Sequence, residues 1–304
     1  MLIALTGATG FIGQYLLAEL PKRGHRVRVL LRRPTPAMPS HMTAAVIGDL
    51  RYPQNLATAL AGVDTIIHSA GVAHAASGMP EDDYRSINTA ATVALARAAE
   101  RSRVSRFVFL SSIRAQCGPV AHTVMTETVE PVPTDTYGKS KLAAELGLAQ
   151  LDLDWVALRP VLVYGFGVKG NMAQLKRLAQ SPFPIPFGSI TARRSLLSLE
   201  NLGSAIEVVL AAPQTLRRAY IVADCEALTV GQMIAAMRRG LGRRPNVFPF
   251  PPALLNALSR AAGQNEAYSR LSGPLVVDPS ALMGLGWRPA ATALGLSMWM
   301  RPTR

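Results

Sequence analysis

A glycine-rich turn close to the amino terminus is the feature that most constrains the fold. The apolar segment LIALT runs directly into GATGFIG, which has a glycine at every third position. Such a turn between a strand and a helix lets backbone N–H groups and the helix N-terminus meet a pyrophosphate. Chance glycine triplets are common, and the spacing is GxxGxxG rather than GxGxxG, but the position behind a strand favours a dinucleotide site. The contacts predicted there are Gly7, Gly10, Phe11, Ile12 and Gly13.

A chain of 304 residues, 49% of them hydrophobic, can form one large α/β domain or a dinucleotide-binding domain with a smaller lobe. Its apolar stretches are all interrupted before the roughly 18–20 residues that a membrane span requires, so no transmembrane helix is expected. Cys117 and Cys225 lie far apart, without cysteine or histidine at metal-ligand spacing. This pattern predicts neither a disulfide framework nor a metal site, and it favours a reducing cytoplasm.

The formal net charge is +13, which raises the question of a polyanionic partner. The arginines are spread along the chain as doublets and form no block interleaved with aromatic residues, so no nucleic-acid interface is predicted. A basic solvated surface is the simplest interpretation. The alternative is a positive field that steers small anionic ligands, such as phosphorylated cofactors, toward a site.

The first 160 residues alternate short apolar runs with longer amphipathic stretches, a pattern typical of βαβ units around a parallel sheet. Strands are predicted at residues 2–6, 26–31, 44–48, 63–68, 105–111 and 154–159. Helices are predicted at Phe11–Lys22, Pro53–Ala61, Glu81–Arg101 and Thr136–Gln150. This order predicts an α/β fold built on a Rossmann-type, doubly wound parallel sheet.

After the LRP segment that closes the sixth strand, the pattern changes to stretches rich in glycine and proline and then to predominantly helical ones. We therefore predict a dinucleotide-binding domain over residues 1–164. Residues 165–194 and 223–304 are predicted to form a smaller, mostly helical substrate lobe. Residues 195–222 read as strand, helix and strand, and we expect them to return to the main sheet.

The end of the second predicted strand bears on the choice of cofactor. An acidic side chain at this place accepts hydrogen bonds from an adenosine ribose, whereas arginine accommodates a 2′-phosphate. Here Leu31 is followed by Arg32 and Arg33. Two cations and no acid favour NADP(H), with NAD(H) as the alternative. A further alternative is that both arginines are ordinary solvated surface.

YGKSK places Tyr137 and Lys141 four residues apart, on one face of a predicted helix. A tyrosine has an unperturbed pKa of about 10 and needs a neighbouring cation to stabilise its phenolate if it is to exchange protons near neutrality. Lys141 can supply that charge, as can an oxidised nicotinamide.

Ser111 and Ser112 end the fifth strand, where a hydroxyl can bind a substrate alcohol or carbonyl. Capping of a buried strand is the alternative role, mainly for Ser111.

Further cofactor contacts are expected where neighbouring strands end. GDL contains Asp49, placed to meet an adenine, although GD is also an ordinary turn sequence. HSAG ends the fourth strand in small residues that let the backbone approach a nucleotide, while His68 itself reads as a packing residue. Asn88 lies inside a predicted helix, where asparagine is unfavourable, and could link the backbone to Lys141 through water. The predicted set is Asp49, Leu50, Ser69, Ala70, Gly71, Asn88 and Pro160, together with Tyr137 and Lys141.

Taken in order, the glycine turn, HSAG, Asn88, LSS, YGKSK and LRP resemble the motifs of the extended short-chain dehydrogenase/reductases over nearly the full length. That family contains nucleotide-sugar epimerases, dehydratases and 4-ketoreductases. The resemblance implies an NAD(P)-dependent enzyme. In that family the tyrosine follows the catalytic Ser/Thr by about the interval of 25 residues that separates Tyr137 from Ser112, which selects Ser112 over Ser111.

The second half of the chain sharpens this resemblance. VYGFGVKGN, PFGSITARRS and LLSLENL are similar to substrate-lobe segments of the UDP-glucose 4-epimerase-like branch, which also contains UDP-4-keto-6-deoxy-N-acetylhexosamine reductases. The implied substrate is a UDP-sugar, with Ser112 on the sugar. Guanidinium groups suit phosphate oxygens. The contacts that the similarity implies for the diphosphate are Lys169, Asn171, Arg194 and Arg270.

Two departures from the family narrow the reaction. Dehydratases carry an acidic pair after the Ser/Thr, where this chain has Ile113 and Arg114, so dehydration is not expected. NAD-dependent epimerases usually have aspartate where Leu31 stands, so this position does not match tightly retained NAD. Arg32 and Arg33 favour a reductase, while the wider resemblance favours an epimerase. UDP-hexose 4-epimerase and UDP-4-keto-hexose reductase therefore both stay open.

Two other classes of function compete with these. One is a reductase of a non-sugar ketone on the same fold. The other is a non-catalytic NADP(H)-binding sensor or scaffold, although such proteins commonly lack the Tyr/Lys pair that this chain has. The oligomeric state stays open, a homodimer included.

Overall fold

The computed structural model describes residues 1–34, 42–72, 80–261, 263 and 272–301. The strands are β1 (Leu2–Thr6), β2 (Arg26–Leu31), β3 (Thr43–Val46), β4 (Thr65–His68), β5 (Arg106–Leu110), β6 (Trp155–Pro160), β7 (Leu162–Tyr164), β8 (Arg193–Ser198), β9 (Arg218–Val222) and β10 (Ala227–Thr229). The α-helices are α1 (Phe11–Lys22), α2 (Leu56–Leu60), α3 (Glu81–Tyr84), α4 (Ala91–Arg101), α5 (Thr136–Leu148), α6 (Gly170–Gln180), α7 (Leu199–Ala211), α8 (Val230–Gly240), α9 (Pro252–Ala261), α10 (Ser280–Met283) and α11 (Thr292–Trp299). A π-helical turn, Arg85–Ala90, joins α3 to α4.

The main sheet has seven parallel strands in the order β3-β2-β1-β4-β5-β6-β9. The order reverses between β1 and β4, whose carboxyl ends lie side by side because Thr6 pairs with His68. This is the doubly wound Rossmann-type sheet that the sequence predicts, and ligands bind such sheets at the reversal. The helix predicted from Pro53 begins only at Leu56, because Asn55 adopts a left-handed conformation with φ of 56°.

Alternate residues of the central strands pack on opposite faces of this sheet. Val108 and Leu110 of β5 join an apolar cluster with α1 and α7. Phe107 and Phe109 of the same strand join a second cluster with α4 and α5. Both faces of the sheet are therefore covered by helices, which explains why its strands are apolar at successive positions.

The C-terminal region combines helices with a small sheet in the order β10-β8-β7. A third apolar cluster joins this sheet to α6, α8 and α11. Of the segment 195–222, β9 lies in the main sheet while β8 pairs with β7 and β10 in the small one. The division of the chain into domains stays a prediction. Within the described residues, no helix is long and apolar enough to cross a membrane.

A buried ion pair ties α5 to β6 below the carboxyl edge of the sheet. Nε of Arg159 in β6 lies 3.1 Å from each carboxylate oxygen of Glu145 in α5. Their side chains are only 6% and 4% exposed. Ser111, just after β5, donates a further hydrogen bond to Glu145, and Gln116 accepts one from Arg159. The bidentate contact and these extra hydrogen bonds offset the cost of desolvating two charges.

Removal of one member of this pair leaves the other charged and unpaired in the core. We expect Arg159→Met to lower the free energy of unfolding by about 3–5 kcal/mol, measured by urea denaturation. The control Lys22→Met removes an exposed pair with Glu19 and should cost less than about 1 kcal/mol. Equal losses in the two variants would contradict a structural role for the buried pair.

Candidate active site

The glycine turn leaves open backbone at the amino end of α1. Gly7 has φ of 71°, a left-handed conformation, and a Cβ there would lie 2.6 Å from the Ala70 nitrogen. A Cβ on Gly13 would lie 1.9 Å from the carbonyl oxygen of Gly7. The Gly10 N–H donates to that same oxygen at 2.9 Å, which closes the turn directly before α1. The result is a cradle without side chains at a helix N-terminus, which fits the pyrophosphate of a dinucleotide.

Hydrogen bonds join the carboxyl end of β4 to that of β1. Ser69 Oγ donates to the Thr6 carbonyl at 2.8 Å, and the Ala70 N–H donates to the Thr6 hydroxyl at 3.2 Å. His68 is buried between Thr6 and Thr92, with ring nitrogens 2.7 and 2.9 Å from their hydroxyls. Burial lowers the pKa of His68 to about 3, so the ring is neutral. Its contacts agree with the packing role inferred from the sequence.

Asn88 is buried in the π-helical turn and joins β4 to α5. Its side chain accepts from the Val72 N–H at 2.8 Å, and its amide nitrogen donates to the Val72 carbonyl and to Ser140 Oγ, both at 3.1 Å. A Cβ on Gly71 would lie 2.9 Å from Asn88 Oδ1 and 3.3 Å from Lys141 Nζ, so only glycine lets both groups come this close. π-helical turns are frequent at functional sites. The water-mediated link to Lys141 stays a prediction; the contacts present are direct ones to Val72 and Ser140.

Tyr137 and Ser112 meet where β5 and α5 come together. Asp135 caps α5 by accepting from the Gly138 N–H at 2.6 Å, so the helix begins just before Tyr137. The Ser112 side chain is hydrogen-bonded to the Tyr137 hydroxyl. Ser111 points elsewhere, toward the buried carboxylate of Glu145. The two neighbouring serines thus have different partners, and of the two Ser112 is bonded to the tyrosine.

Lys141 lies one turn after Tyr137 and has a buried ammonium group. Its Nζ donates to the Leu110 carbonyl at 2.9 Å and lies 6.0 Å from the centre of the Tyr137 ring. Burial lowers the pKa of Lys141 to about 8, and the negative charge of Glu145 opposes that shift. The ammonium form therefore predominates at neutral pH.

Burial is the main influence on the pKa of Tyr137. Lys141 is expected to lower it, but burial raises it to about 12, against the opposite effects of the Ser112 hydrogen bond and the Arg114 charge. Burial is the largest cause of this shift, and the Lys141 ammonium donates a hydrogen bond to the Leu110 carbonyl. Tyr137 therefore carries its proton at neutral pH and is placed to donate it.

Charged groups surround the loop after β3. Asp49 pairs with Arg32 at 3.1 Å and with Arg51 at 2.9 Å. The Arg51 hydrogen bond lowers the pKa of Asp49 to about 2. Arg33 is exposed. Arg51 was not among the residues singled out from the sequence, where its only signal is its position two residues after Asp49.

The remaining predicted contacts fall into two groups. Leu50 and Ile12 pack against the core clusters, and Pro160 ends β6 in a buried position. Lys169 and Asn171 flank the start of α6. The loop before α6 passes the glycine turn, because a Cβ on Gly167 would lie 3.8 Å from the Phe11 ring.

Arg194 is buried in β8 and is partly committed to the fold. Its guanidinium donates to the carbonyls of Gly273 and Pro119. Burial and the neighbouring Arg114 charge lower its pKa to about 10. Arg270 lies outside the described residues. The diphosphate roles of the substrate-lobe residues stay predictions.

Two further neighbours of the tyrosine were missed from the sequence. Tyr84 of α3 lies edge-on to Tyr137, with ring centres 6.4 Å apart. Arg114 pairs with Asp135, the residue that caps α5. Both contacts join segments distant in sequence, and no local motif indicates them.

Comparison with known proteins shows the family of the chain. Residues 3–223 match the model of the NAD dependent epimerase/dehydratase family, and the chain belongs to that family. The UDP-glucose 4-epimerase of Vibrio cholerae is 32% identical over 301 residues, which cover 95% of this chain and 91% of that protein. The 3 beta-hydroxysteroid dehydrogenase/Delta 5→4-isomerase of Mycobacterium tuberculosis is 29% identical over 294 residues, 90% of this chain and 73% of that protein. The solved structure of MoeE5 in complex with UDP-glucose and NAD is 26% identical, with a TM-score of 0.74 over 98% of this chain and 97% of that one.

The glycine turn can be tested by adding a single methyl group. In Gly13→Ala the new Cβ meets the Gly7 carbonyl oxygen, so the turn must shift, and we expect dinucleotide affinity to fall by at least about tenfold. In Gly10→Ala the new Cβ would lie 3.2 Å from the same oxygen, so the loss of dinucleotide affinity should be smaller. Titration calorimetry with NADH and NADPH measures both. Unchanged affinity in Gly13→Ala would show that the turn does not hold the cofactor.

Proposed function

We propose that this protein is an NAD(P)-dependent enzyme that transfers hydride at C4 of a UDP-hexose and acts as a 4-epimerase. The observation that carries the proposal is the grouping of Ser112, Tyr137 and Lys141 at the carboxyl edge of the sheet, beside the glycine cradle. Similarity to the Vibrio cholerae UDP-glucose 4-epimerase over 95% of the chain supports the choice of substrate class. MoeE5, which is solved with UDP-glucose and NAD, supports it independently.

The proposed chemistry divides between the cofactor and three side chains. A bound nicotinamide accepts or supplies the hydride at C4. Ser112 holds the C4 oxygen, and Tyr137 exchanges its proton with that oxygen: the alcohol gives its proton to the phenolate on oxidation, and the phenol returns one on reduction. The Lys141 charge stabilises the phenolate that is present before oxidation and is formed again on reduction.

A NADPH-dependent UDP-4-keto-hexose reductase is the second candidate. Arg32 and Arg51 both pair with one carboxylate, Asp49, after the ends of β2 and β3, and the exposed Arg33 follows Arg32 in the chain. Guanidinium groups suit a 2′-phosphate, which would compete with Asp49 for Arg32. This cluster favours NADP(H), whereas retained NAD would favour the epimerase. Such a reductase would perform only the reducing step and exchange its cofactor at each turnover.

Assay of the purified protein against UDP-sugars, with NADH and with NADPH, tests the proposal. Stoichiometric bound NAD together with interconversion of C4 epimers would support the epimerase; consumption of NADPH by a 4-keto sugar would support the reductase. Tyr137→Phe should lower turnover by about 10²–10⁴-fold and keep cofactor affinity, because only the proton donor is lost. Absence of affinity for every UDP-sugar would overturn both candidates.

The alkaline pH dependence should report Lys141. Because burial lowers its pKa to about 8, the charged fraction falls as the pH rises through that value. We expect kcat/KM for reduction to fall about tenfold per pH unit above it, measured in a pH–rate profile. Lys141→Arg, which stays charged, should move the fall to higher pH, and the exposed control Lys139→Arg should not. A fall at unchanged pH in Lys141→Arg would exclude Lys141 as its source.

A further inference from the structure

Most of the net positive charge comes from two segments without any acidic residue. Residues 155–199 contain six lysines and arginines, and residues 227–265 contain five; neither segment contains aspartate or glutamate. Together they account for eleven of the net +13 charges. Eight of these eleven side chains are at least partly exposed: Lys169, Lys176, Arg177, Arg193, Arg239, Arg243, Arg244 and Arg260. Arg159, Arg194 and Arg238 are buried. The exposed cations lie in or beside α6, β8, α8 and α9, and they give this part of the molecule a cationic surface.

Parts of the two segments lie side by side and form what we call the paired ridge, residues 181–188 and 245–254. The Ile185 N–H donates to the Asn246 carbonyl at 3.0 Å, and the Phe248 N–H donates to the Ile185 carbonyl at 3.0 Å. The Gly188 N–H closes the pairing on the Phe248 carbonyl at 2.9 Å. The two stretches therefore form one surface.

Arg238, buried at the end of α8, fixes the paired ridge from below. Its guanidinium donates to the Ser181 and Phe183 carbonyls at 2.9 and 2.7 Å on one side of the ridge. It also donates to the Pro245 and Asn246 carbonyls at 3.1 and 3.2 Å on the other side. The ridge is thus built into the fold by a side chain that is 2% exposed.

The outer side of the paired ridge is apolar and bordered by cations. Phe183 is 72% exposed, Leu254 53% and Phe248 40%. The prolines that separate them are also exposed: Pro182, Pro184, Pro249, Pro251 and Pro252. Arg243 and Arg244, both exposed, line an adjoining cleft of about 450 Å³. A cluster of exposed apolar side chains on a well-defined backbone is typical of an interaction surface.

We propose that the paired ridge docks on an anionic lipid bilayer. Phe183, Phe248 and Leu254 enter the boundary between headgroups and acyl chains, while Arg243 and Arg244 bind lipid phosphates in and beside the cleft. A bilayer accepts apolar side chains without a complementary shape and supplies the negative charge that the acid-free segments require. Nucleic acid supplies the charge but gives no environment for burial of leucine and proline.

Co-flotation of the full-length protein with vesicles tests this proposal without any assay of turnover. We expect binding to vesicles of phosphatidylcholine mixed with phosphatidylglycerol, release at high salt, and no binding to phosphatidylcholine alone. Phe183→Ser combined with Phe248→Ser, and Arg243→Glu combined with Arg244→Glu, should each weaken binding about tenfold or more.

Matched controls separate the ridge from general charge and hydrophobicity. Arg97→Glu combined with Arg101→Glu makes the same change of net charge on exposed positions of α4, and Val46→Ser removes an exposed apolar side chain from the edge strand β3. Both should float like the wild-type protein. The proposal is overturned if the wild-type protein does not float with anionic vesicles or if ridge and control variants float alike. It is also overturned if single-stranded RNA binds more tightly than the vesicles and its binding is unaffected by the phenylalanine changes.

Discussion

The bidentate contact between Arg159 and Glu145 is the interaction on which the site depends most. It joins β6 to the helix that carries Tyr137 and Lys141. Through Ser111 it also reaches the end of β5, one residue before Ser112. Because a helix held at a buried point can neither rotate nor slide, the pair fixes the face of α5 that meets the carboxyl edge of the sheet. The negative charge of Glu145 also favours the ammonium form of Lys141. The same carboxylate therefore helps to fix the position of α5 and to keep Lys141 charged.

Burial acts in opposite directions on the two groups of the YGKSK motif. The low-dielectric surroundings disfavour the charged form of each, which raises the pKa of Tyr137 and lowers that of Lys141. Tyr137 therefore stays protonated at neutral pH, and the pKa of Lys141 lies close to neutral pH. A proton can then move at the tyrosine with little change of the protein around it, which is the condition that preorganised sites meet.

Much of the fold could be predicted because its signals are local. Strand and helix periodicities, the glycine turn and the four-residue spacing of Tyr137 and Lys141 are each contained within a short window. Contacts between distant segments could not be obtained this way. The pairing of Arg32 with Asp49, the position of Tyr84 beside Tyr137, and the direct bonds of Asn88 all depend on how strands are ordered and helices packed. The burial that raises the pKa of Tyr137 depends on the same tertiary packing.

The π-helical turn at Arg85–Ala90 has a consequence for how relatives of this chain can vary. A π turn is a helix widened to accommodate one additional residue, and each residue of a regular helix advances the face by about 100°. A relative lacking that residue could keep a regular helix from Glu81 to Arg101 with its apolar contacts in α4 unchanged. Asn88 would then turn away from Val72 and Ser140. The number of residues in this helical segment therefore indicates whether Asn88 can reach its partners, even where a relative has the same asparagine.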